Sequence, residues 1–145
     1  MWRPGFEFRE QRPALVHGYH RALCVYSVHH RGTWARPGLV LGLDRGGACR
    51  GIAFRVAARR AAAVTAYLVE REMVTLVYVP RRLHARFDDG RRVPVYTFII
   101  DRAHEQYAGR LPVADAARLI ADGHGKSGAG LDYLRNTMTH LGDLG

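Results

Sequence analysis

Apolar and polar residues follow strand-like patterns along six stretches of the chain, which predicts six β-strands. These strands cover residues 14–20, 22–29, 39–43, 49–57, 73–87 and 93–100. Turn-forming sequences join two pairs of them: Asp44-Arg45-Gly46-Gly47 follows the third strand, and Asp88-Asp89-Gly90 follows the fifth. The pattern therefore predicts strands that pair mainly as antiparallel hairpins.

Three other stretches carry apolar residues at the spacing of a helix, namely residues 58–72, 114–121 and 131–141. The glycine-rich segment 123–128 connects the last two. Helices combined with strand hairpins indicate an α+β fold. A chain of 145 residues, 48% of them hydrophobic, is suited to a single domain with its own core.

Glu72 occupies a position in the first predicted helix that needs an explanation. Val64, Leu68 and Glu72 fall on one line at i, i+4 spacing, so Glu72 continues an apolar face. Glu70 lies about 200° from Glu72 around the helix axis and is expected to face solvent. A carboxylate on an inner face is costly unless it is paired or has a chemical task. Glu72 is therefore either half of an ion pair with an arginine or a catalytic group.

No apolar run reaches the roughly 20 residues that a membrane-spanning helix needs. The first residues contain no apolar segment of the kind found in signal peptides. We therefore expect a cytoplasmic protein without a membrane partner. Cys24 and Cys49 show neither metal-ligand spacing nor a CxxC pattern, so we expect both to be buried, reduced thiols.

The net charge of +9 raises the question of nucleic-acid binding. Lys126 is the only lysine, and the arginines are dispersed along the sequence. No recognition helix, RNP-like motif or zinc-finger spacing accompanies them. We therefore predict no nucleic-acid partner, and note that a small anionic substrate would also benefit from a positive field.

Candidate cofactor motifs are weak. Gly123-x-Gly125-x-x-Gly128 matches the dinucleotide-binding string, but it follows a predicted helix, so a helix-to-helix turn is the better interpretation. His29 and His30 are adjacent, which directs their side chains apart on a strand, and neither has an acidic partner at zinc-site spacing. Ser27 lies in no nucleophile elbow. We predict neither a metal nor a cofactor.

Six segments resemble a known family. In chain order they are Ser27-Val28-His29-His30-Arg31-Gly32, Arg36-Pro37-Gly38, Cys49-x-Gly51-x-Ala53-Phe54-Arg55, Tyr67-Leu68-x-x-Arg71-Glu72, Tyr107-Ala108-Gly109 and Gly125-x-Ser127-Gly128-x-x-x-Asp132-Tyr133-Leu134. Over residues 18–134 the chain resembles the ChaC-like γ-glutamylcyclotransferases, in particular their glutathione-specific branch. The Tyr-Leu-x-x-Arg-Glu segment, placed after His-Arg-Gly, is the most specific part of this resemblance.

The resemblance implies a γ-glutamylcyclotransferase-like fold, with a mixed β-barrel core and flanking helices. It implies a lyase that converts glutathione to 5-oxoproline and cysteinylglycine without a cofactor, using one glutamate, here Glu72, as its acid–base catalyst. Substrate-binding residues are expected at Ser27, His30, Arg31, Gly32, Arg71 and Tyr133. Two alternatives stay open: a cyclotransferase for other γ-glutamyl amines, and an inactive relative that binds a small molecule. The oligomeric state is left open.

The resemblance also concerns the beginning of the chain. In the family, a Tyr-Gly-Ser-Leu loop that holds the γ-glutamyl head group lies just before the position of Trp2. The sequence contains no such loop, so the domain is expected to be truncated at its N-terminus relative to the family. We expect residues 1–145 alone to be poorly active and prone to associate, because a sheet edge is left open.

Overall fold

A computed structural model describes residues 4–144. Its elements, in chain order, are β1 (Glu10–Ser27), β2 (Gly38–Arg55), a 3₁₀ turn (Ala58–Arg60), α1 (Ala61–Glu72), β3 (Tyr78–Arg86), β4 (Arg92–Ile100), α2 (Val113–Asp122), β5 (His124–Gly125), β6 (Gly128–Ala129) and α3 (Gly130–Asp143). The α+β class is confirmed. The expectations on the first residues fall on Met1 and Trp2, which lie outside the described range.

Four strands form one sheet in the order β2-β1-β3-β4, and β5 pairs with β6 in a separate two-stranded sheet. β1 and β3 run antiparallel, with Leu15 opposite Arg86. A barrel closes only when its two outer strands also pair. Within the described residues β2 and β4 are the edges of an open sheet, so the expected closed β-barrel core is wrong.

Contacts divide the chain into two compact units. Unit 1 comprises residues up to 20 together with 45–99, and unit 2 comprises residues 21–44 together with residues from 100 onward. The interpretation of the chain as one domain stays a prediction.

The first four predicted strands are in fact two long ones, and glycines with positive φ lie inside both. β1 runs continuously through residue 21, and β2 runs through the predicted turn at residues 44–47. Gly18, Gly46 and Gly47 have φ values of +84°, +101° and +68°. Glycine adopts these angles at no steric cost, so a strand can pass through them. The predicted hairpin turn at Asp44 is therefore wrong.

The predicted first helix is confirmed as α1, and its apolar face forms the core of unit 1. Val64 and Leu68 are buried against Phe98. Partly buried side chains complete this cluster, namely Phe6, Val56, Val69, Met73, Tyr78 and Tyr96. Leu68→Ala would lower the free energy of unfolding by about 2–5 kcal/mol, and Val64→Ala would lower it somewhat less because fewer methyl groups are removed.

The hairpin of β3 and β4 is confirmed, although β3 starts later than the sequence predicted. The strand begins at Tyr78 rather than Met73. Leu76, in the intervening bend, has a φ of +61°, which a strand does not contain. In the Asp88-Asp89-Gly90 turn, the Phe87 amide donates to the Arg91 carbonyl at 2.8 Å and Gly90 has a φ of +86°.

The glycine-rich segment of unit 2 is a tight hairpin between two helices. This agrees with the helix-to-helix turn that the sequence favoured over a dinucleotide-binding loop. His124 pairs with Ala129 and Gly125 with Gly128. A Cβ atom on Gly125 would lie 2.6 Å from the Gly32 amide nitrogen, and one on Gly123 would lie 2.6 Å from the Arg31 carbonyl oxygen. The hairpin therefore packs backbone against backbone on the loop after β1.

The end of β1 forms the center of unit 2. Cys24 and Val25 are 1% exposed, and the Ala108 amide donates to the Cys24 carbonyl at 2.8 Å. Both cysteines are free thiols. Cys24 is buried as predicted, whereas Cys49 is partly exposed.

The ionisation of Cys24 generates a prediction about alkaline stability. Burial, and secondarily the Asp44 carboxylate, raises the pKa of the Cys24 thiol from 9.0 to about 11. Between these values the unfolded chain loses the thiol proton and the folded chain keeps it, so the free energy of unfolding falls as the pH rises. We expect a loss of about 2–3 kcal/mol between pH 9 and 11.

Urea unfolding followed by circular dichroism across this range measures the effect. Cys24→Ala should unfold more easily at pH 8 yet lose less stability above pH 9 than the parent chain. Cys49→Ala is the matched control and should retain the full pH dependence. Equal pH dependence in the parent chain and Cys24→Ala would contradict the assignment.

Candidate active site

Glu72, the predicted catalytic residue, ends α1 in unit 1. Its Oε1 atom accepts a hydrogen bond from the Arg71 Nε atom at 2.9 Å, and its side chain is 26% exposed. Glu70 is exposed, so the predicted orientation of the two glutamates is confirmed. The Oε2 atom of Glu72 has no hydrogen-bond donor in the described part of the chain, which leaves this oxygen available to a ligand.

Arg71 is anchored by the segment that precedes β1. Its Nη1 atom donates to the Pro4 carbonyl at 2.8 Å, and its guanidinium lies 5.8 Å from the Tyr67 ring centroid. Burial lowers the pKa of Arg71, but the Tyr67 hydroxyl and the Glu72 carboxylate outweigh it and raise the pKa overall. A Cβ atom on Gly5 would overlap the Tyr67 hydroxyl. Arg71 is therefore a fixed cation that orients Glu72.

The predicted substrate-binding residues Ser27, His30, Arg31, Gly32 and Tyr133 all belong to unit 2. Buried Ser27 closes the turn after β1, because its Oγ atom accepts the Arg31 amide at 3.0 Å. Gly32 leaves no space for a side chain, since a Cβ atom there would overlap the Gly38 amide and the Ser27 carbonyl.

Arg31 and His30 both contact Ser127 in the glycine-rich hairpin. The Arg31 Nη1 atom donates to the Ser127 carbonyl at 2.6 Å and to the Ala129 carbonyl at 3.3 Å. The His30 Nδ1 atom lies 2.9 Å from the Ser127 Oγ atom. The rings of His29 and His30 meet edge to face at 4.8 Å, so the expectation that they diverge is wrong. Both residues follow the end of β1, where strand alternation no longer applies.

Tyr133, on α3, completes this cluster. Its ring lies 5.6 Å from the Arg31 guanidinium, and its Oη atom accepts the Leu41 amide at 3.1 Å. Burial is the main cause that raises the pKa of Tyr133, so its hydroxyl is neutral at physiological pH. Five of the seven predicted site residues are thus brought together in unit 2, and Arg71 and Glu72 are adjacent in unit 1.

Two polar residues were not identified as members of such clusters from the sequence. Ser127 joins His30 to Arg31, and a serine among glycines was the available signal. Asp44 was assigned to a turn but is 6% exposed. Its Oδ1 atom accepts Arg102 Nε at 2.7 Å and its Oδ2 atom accepts the Tyr107 hydroxyl at 2.9 Å. The neighbouring residues Arg45, Gly46 and Gly47 are typical of an exposed turn, so the local sequence did not indicate that Asp44 is buried.

Residues 4–144 contain no group of three or more histidine, cysteine, aspartate or glutamate side chains that could hold a metal ion. Within the same range, no helix has the length and apolar character required to cross a membrane.

Comparisons with known proteins agree with the sequence resemblance. The glutathione-specific γ-glutamylcyclotransferase of Escherichia coli is 35% identical over 145 residues, which is 100% of this chain and 63% of that protein. The Schizosaccharomyces pombe protein of the same name is 30% identical, over 92% of this chain and 74% of its own. The chain thus spans less than two thirds of the length of the E. coli relative.

A crystal structure of a γ-glutamyl cyclotransferase specific to glutathione from yeast has the same fold, with a TM-score of 0.84. The match covers 93% of this chain and 80% of the yeast chain at 20% sequence identity, so it bears on the fold alone. A family model described as ChaC-like protein matches residues 1–145. The chain therefore belongs to the ChaC-like protein family.

Proposed function

We propose that this protein is a glutathione-specific γ-glutamylcyclotransferase, which releases 5-oxoproline and cysteinylglycine from glutathione. One observation carries the proposal: the whole chain aligns at 35% identity with the E. coli protein that bears this name. Glutathione is the proposed small-molecule partner, and the cytoplasm is the proposed location.

The proposed reaction is intramolecular. The α-amine of the γ-glutamyl group attacks its own γ-carbonyl carbon, a C–N bond forms to close a five-membered ring, and the C–N bond to cysteinylglycine breaks. The attacking amine must lose a proton and the departing nitrogen must gain one. Because both reacting groups belong to one molecule, holding the glutamyl arm folded supplies much of the rate advantage.

Glu72 is the proposed acid–base group for both proton transfers. Its Oε1 atom is held by Arg71, which limits rotation of the carboxylate, and its Oε2 atom has no donor among residues 4–144. A positioned carboxylate can take the proton from the amine and deliver it to the leaving nitrogen. The Arg71 pair therefore supports both interpretations of Glu72 made from the sequence, because an ion-paired carboxylate can also be an oriented base.

The remaining proposed site residues would bind the charged ends of the substrate. Arg31 and Arg71 are the cations of this set, and arginine matches the planar geometry of a carboxylate. Ser27, His30, Gly32 and Tyr133 are the other proposed substrate-binding residues. Contacts with Arg31, Ser127 and Leu41 hold Ser27, His30 and Tyr133 in place. These contacts support a positioning role, since side chains held in this way change little when a ligand arrives.

Substitution of Glu72 tests both the activity and the catalytic assignment. We expect the parent protein to release 5-oxoproline from glutathione, and Glu72→Gln to lower kcat by about 100-fold or more because the carboxamide cannot accept a proton. Glu70→Gln is the matched control and should retain parent activity. A Glu72→Gln protein that keeps more than about a tenth of the rate would exclude Glu72 as the acid–base group.

The same assay discriminates among the candidate functions. Turnover of glutathione with no turnover of γ-glutamyl amino acids supports the proposal, and the reverse preference identifies a cyclotransferase for other γ-glutamyl amines. Glutathione that binds without turnover identifies the inactive relative.

Substitution of Arg31 tests its role toward the substrate. Arg31→Lys keeps the charge but loses the planar fork, so we expect KM for glutathione to rise by about tenfold. Arg36→Lys, at an exposed arginine of the same loop, should leave KM unchanged. An unaltered KM in a folded Arg31→Lys protein, with folding monitored by circular dichroism, would remove Arg31 from the binding residues.

Chelation tests the prediction that no metal takes part. The reaction requires only proton transfer and ring closure, so incubation with EDTA followed by dialysis should leave 5-oxoproline release unchanged. Loss of activity that a divalent cation restores would show that a metal site is present.

A further inference from the structure

The positive charge of this protein is concentrated in one of its units, although the basic residues are dispersed in the sequence. Unit 1 contains 14 arginines and six acidic residues, whereas unit 2 contains eight basic and seven acidic residues. Almost all of the net charge of +9 therefore belongs to unit 1. An excess of positive charge destabilises a folded unit by self-repulsion. The concentration of arginines in unit 1 therefore suggests a function beyond solubility.

The acidic residues of unit 1 neutralise some arginines and not others. Among residues 4–144, five of the six form ion pairs, which are Glu7 with Arg60, Glu10 with Arg12 and Arg55, Glu72 with Arg71, Asp88 with Arg50, and Asp89 with Arg12 and Arg91. Arg82, Arg86 and Arg92 have no acidic partner in the described part of the chain. These three cations also share a location.

A groove of about 470 Å³ on the sheet of unit 1 collects these three arginines. Its lining consists of His17, Arg82, Leu83, His84, Arg86 and Arg92, with no acidic residue. Arg82, His84 and Arg86 alternate along β3, so they project from one face of the strand, while Ala85 is buried on the other. Neighbours on this face are about 6.6 Å apart along the strand. The groove thus presents an extended row of basic side chains.

The chemistry of this row fits phosphate better than a single carboxylate. Guanidinium groups bind phosphate oxygens through paired N–H donors. A single carboxylate offers only two oxygen atoms to the row, whereas linked phosphate groups offer enough oxygen atoms to contact several of its side chains at once. The volume is within the range of small-molecule sites. Single-stranded nucleic acid is disfavoured, because no phenylalanine, tyrosine or tryptophan side chain lines the groove to stack on a base.

We infer that this groove is a binding site for a small ligand that carries two or more linked phosphate groups. None of the residues proposed for glutathione turnover lines it. Inorganic tripolyphosphate has the required chemistry without a base or a sugar and is therefore the probe. A nucleoside triphosphate shares its linked phosphates and distinguishes a nucleotide source from an inorganic one.

Isothermal titration calorimetry of the full chain with tripolyphosphate tests the inference. We expect one binding event that is at least about tenfold tighter than that of orthophosphate at equal ionic strength. The variant Arg82→Gln/Arg86→Gln/Arg92→Gln should weaken tripolyphosphate binding by at least about tenfold. All three side chains are exposed, so the core is unaffected, and circular dichroism verifies the fold. If the triple variant does not fold, Arg82→Gln and Arg92→Gln are measured singly, each with an expected loss of about threefold or more.

The matched control is Arg9→Gln/Arg59→Gln/Arg81→Gln, which removes three exposed charges from the same unit outside the groove. It should bind tripolyphosphate within about twofold of the parent affinity. Equal losses in the two variants would show a diffuse electrostatic effect and overturn the inference, as would the absence of tripolyphosphate binding.

Two further measurements identify a different occupant. Tighter binding of a uridylate oligonucleotide than of tripolyphosphate, lost in the groove variant, would assign the groove to nucleic acid instead. A higher KM for glutathione in the groove variant, with the control unaltered, would make the groove part of the substrate site. Both results would overturn the inference. Because binding is measured directly, a protein without glutathione turnover leaves this test intact.

Discussion

Close contact between backbones governs the structure of unit 2. The hairpin of β5 and β6 can approach the loop after β1 only because Gly123 and Gly125 place no side chain between the two segments. Gly32 and Gly38 allow the loop to fold closely on its own backbone in the same way. At this separation the Lys126 and Ser127 amides reach the His29 and His30 carbonyls, both at 2.9 Å. An alanine at any of these glycines would overlap backbone atoms, which move only with the whole segment.

The polar cluster of unit 2 depends on that contact. With the two backbones this close, the Arg31 side chain reaches the Ser127 carbonyl and the His30 ring reaches the Ser127 hydroxyl. The same arrangement presents the Tyr133 ring to Arg31. Some hydrogen-bonding groups of these side chains are already used within the cluster. A ligand must therefore bind the remaining N–H and O–H donors and the exposed ring faces. In the sequence these glycines resemble flexible loop positions, but in the structure they allow the close backbone contact that orders this cluster.

The sequence predicted the helices and the β3–β4 hairpin because each has a local cause. Val64 and Leu68 repeat at helical spacing, and Asp89-Gly90 suits a tight turn. It divided β2 wrongly because a glycine pair signals a reversal and a bend with equal strength, and only strand pairing decides between them. The continuity of β1 through residue 21 likewise depends on strand pairing. The burial of Asp44 depends on Arg102 and Tyr107, more than fifty residues away, so no local pattern could reveal it. Glu72 and Arg71 could be predicted as site residues from helical spacing and from the motif that contains them. The contacts of Ser127 with His30 and Arg31 could not, because they join segments that are distant in the sequence.

The hairpin between α2 and α3 also contains Lys126, the only lysine in the chain. Its side chain is exposed, while its amide holds the hairpin to His29. Among side chains, an amine-reactive reagent therefore has a single target, and that target adjoins Ser127. A fluorophore or spin label attached there would report on the polar cluster of unit 2 without any engineered cysteine.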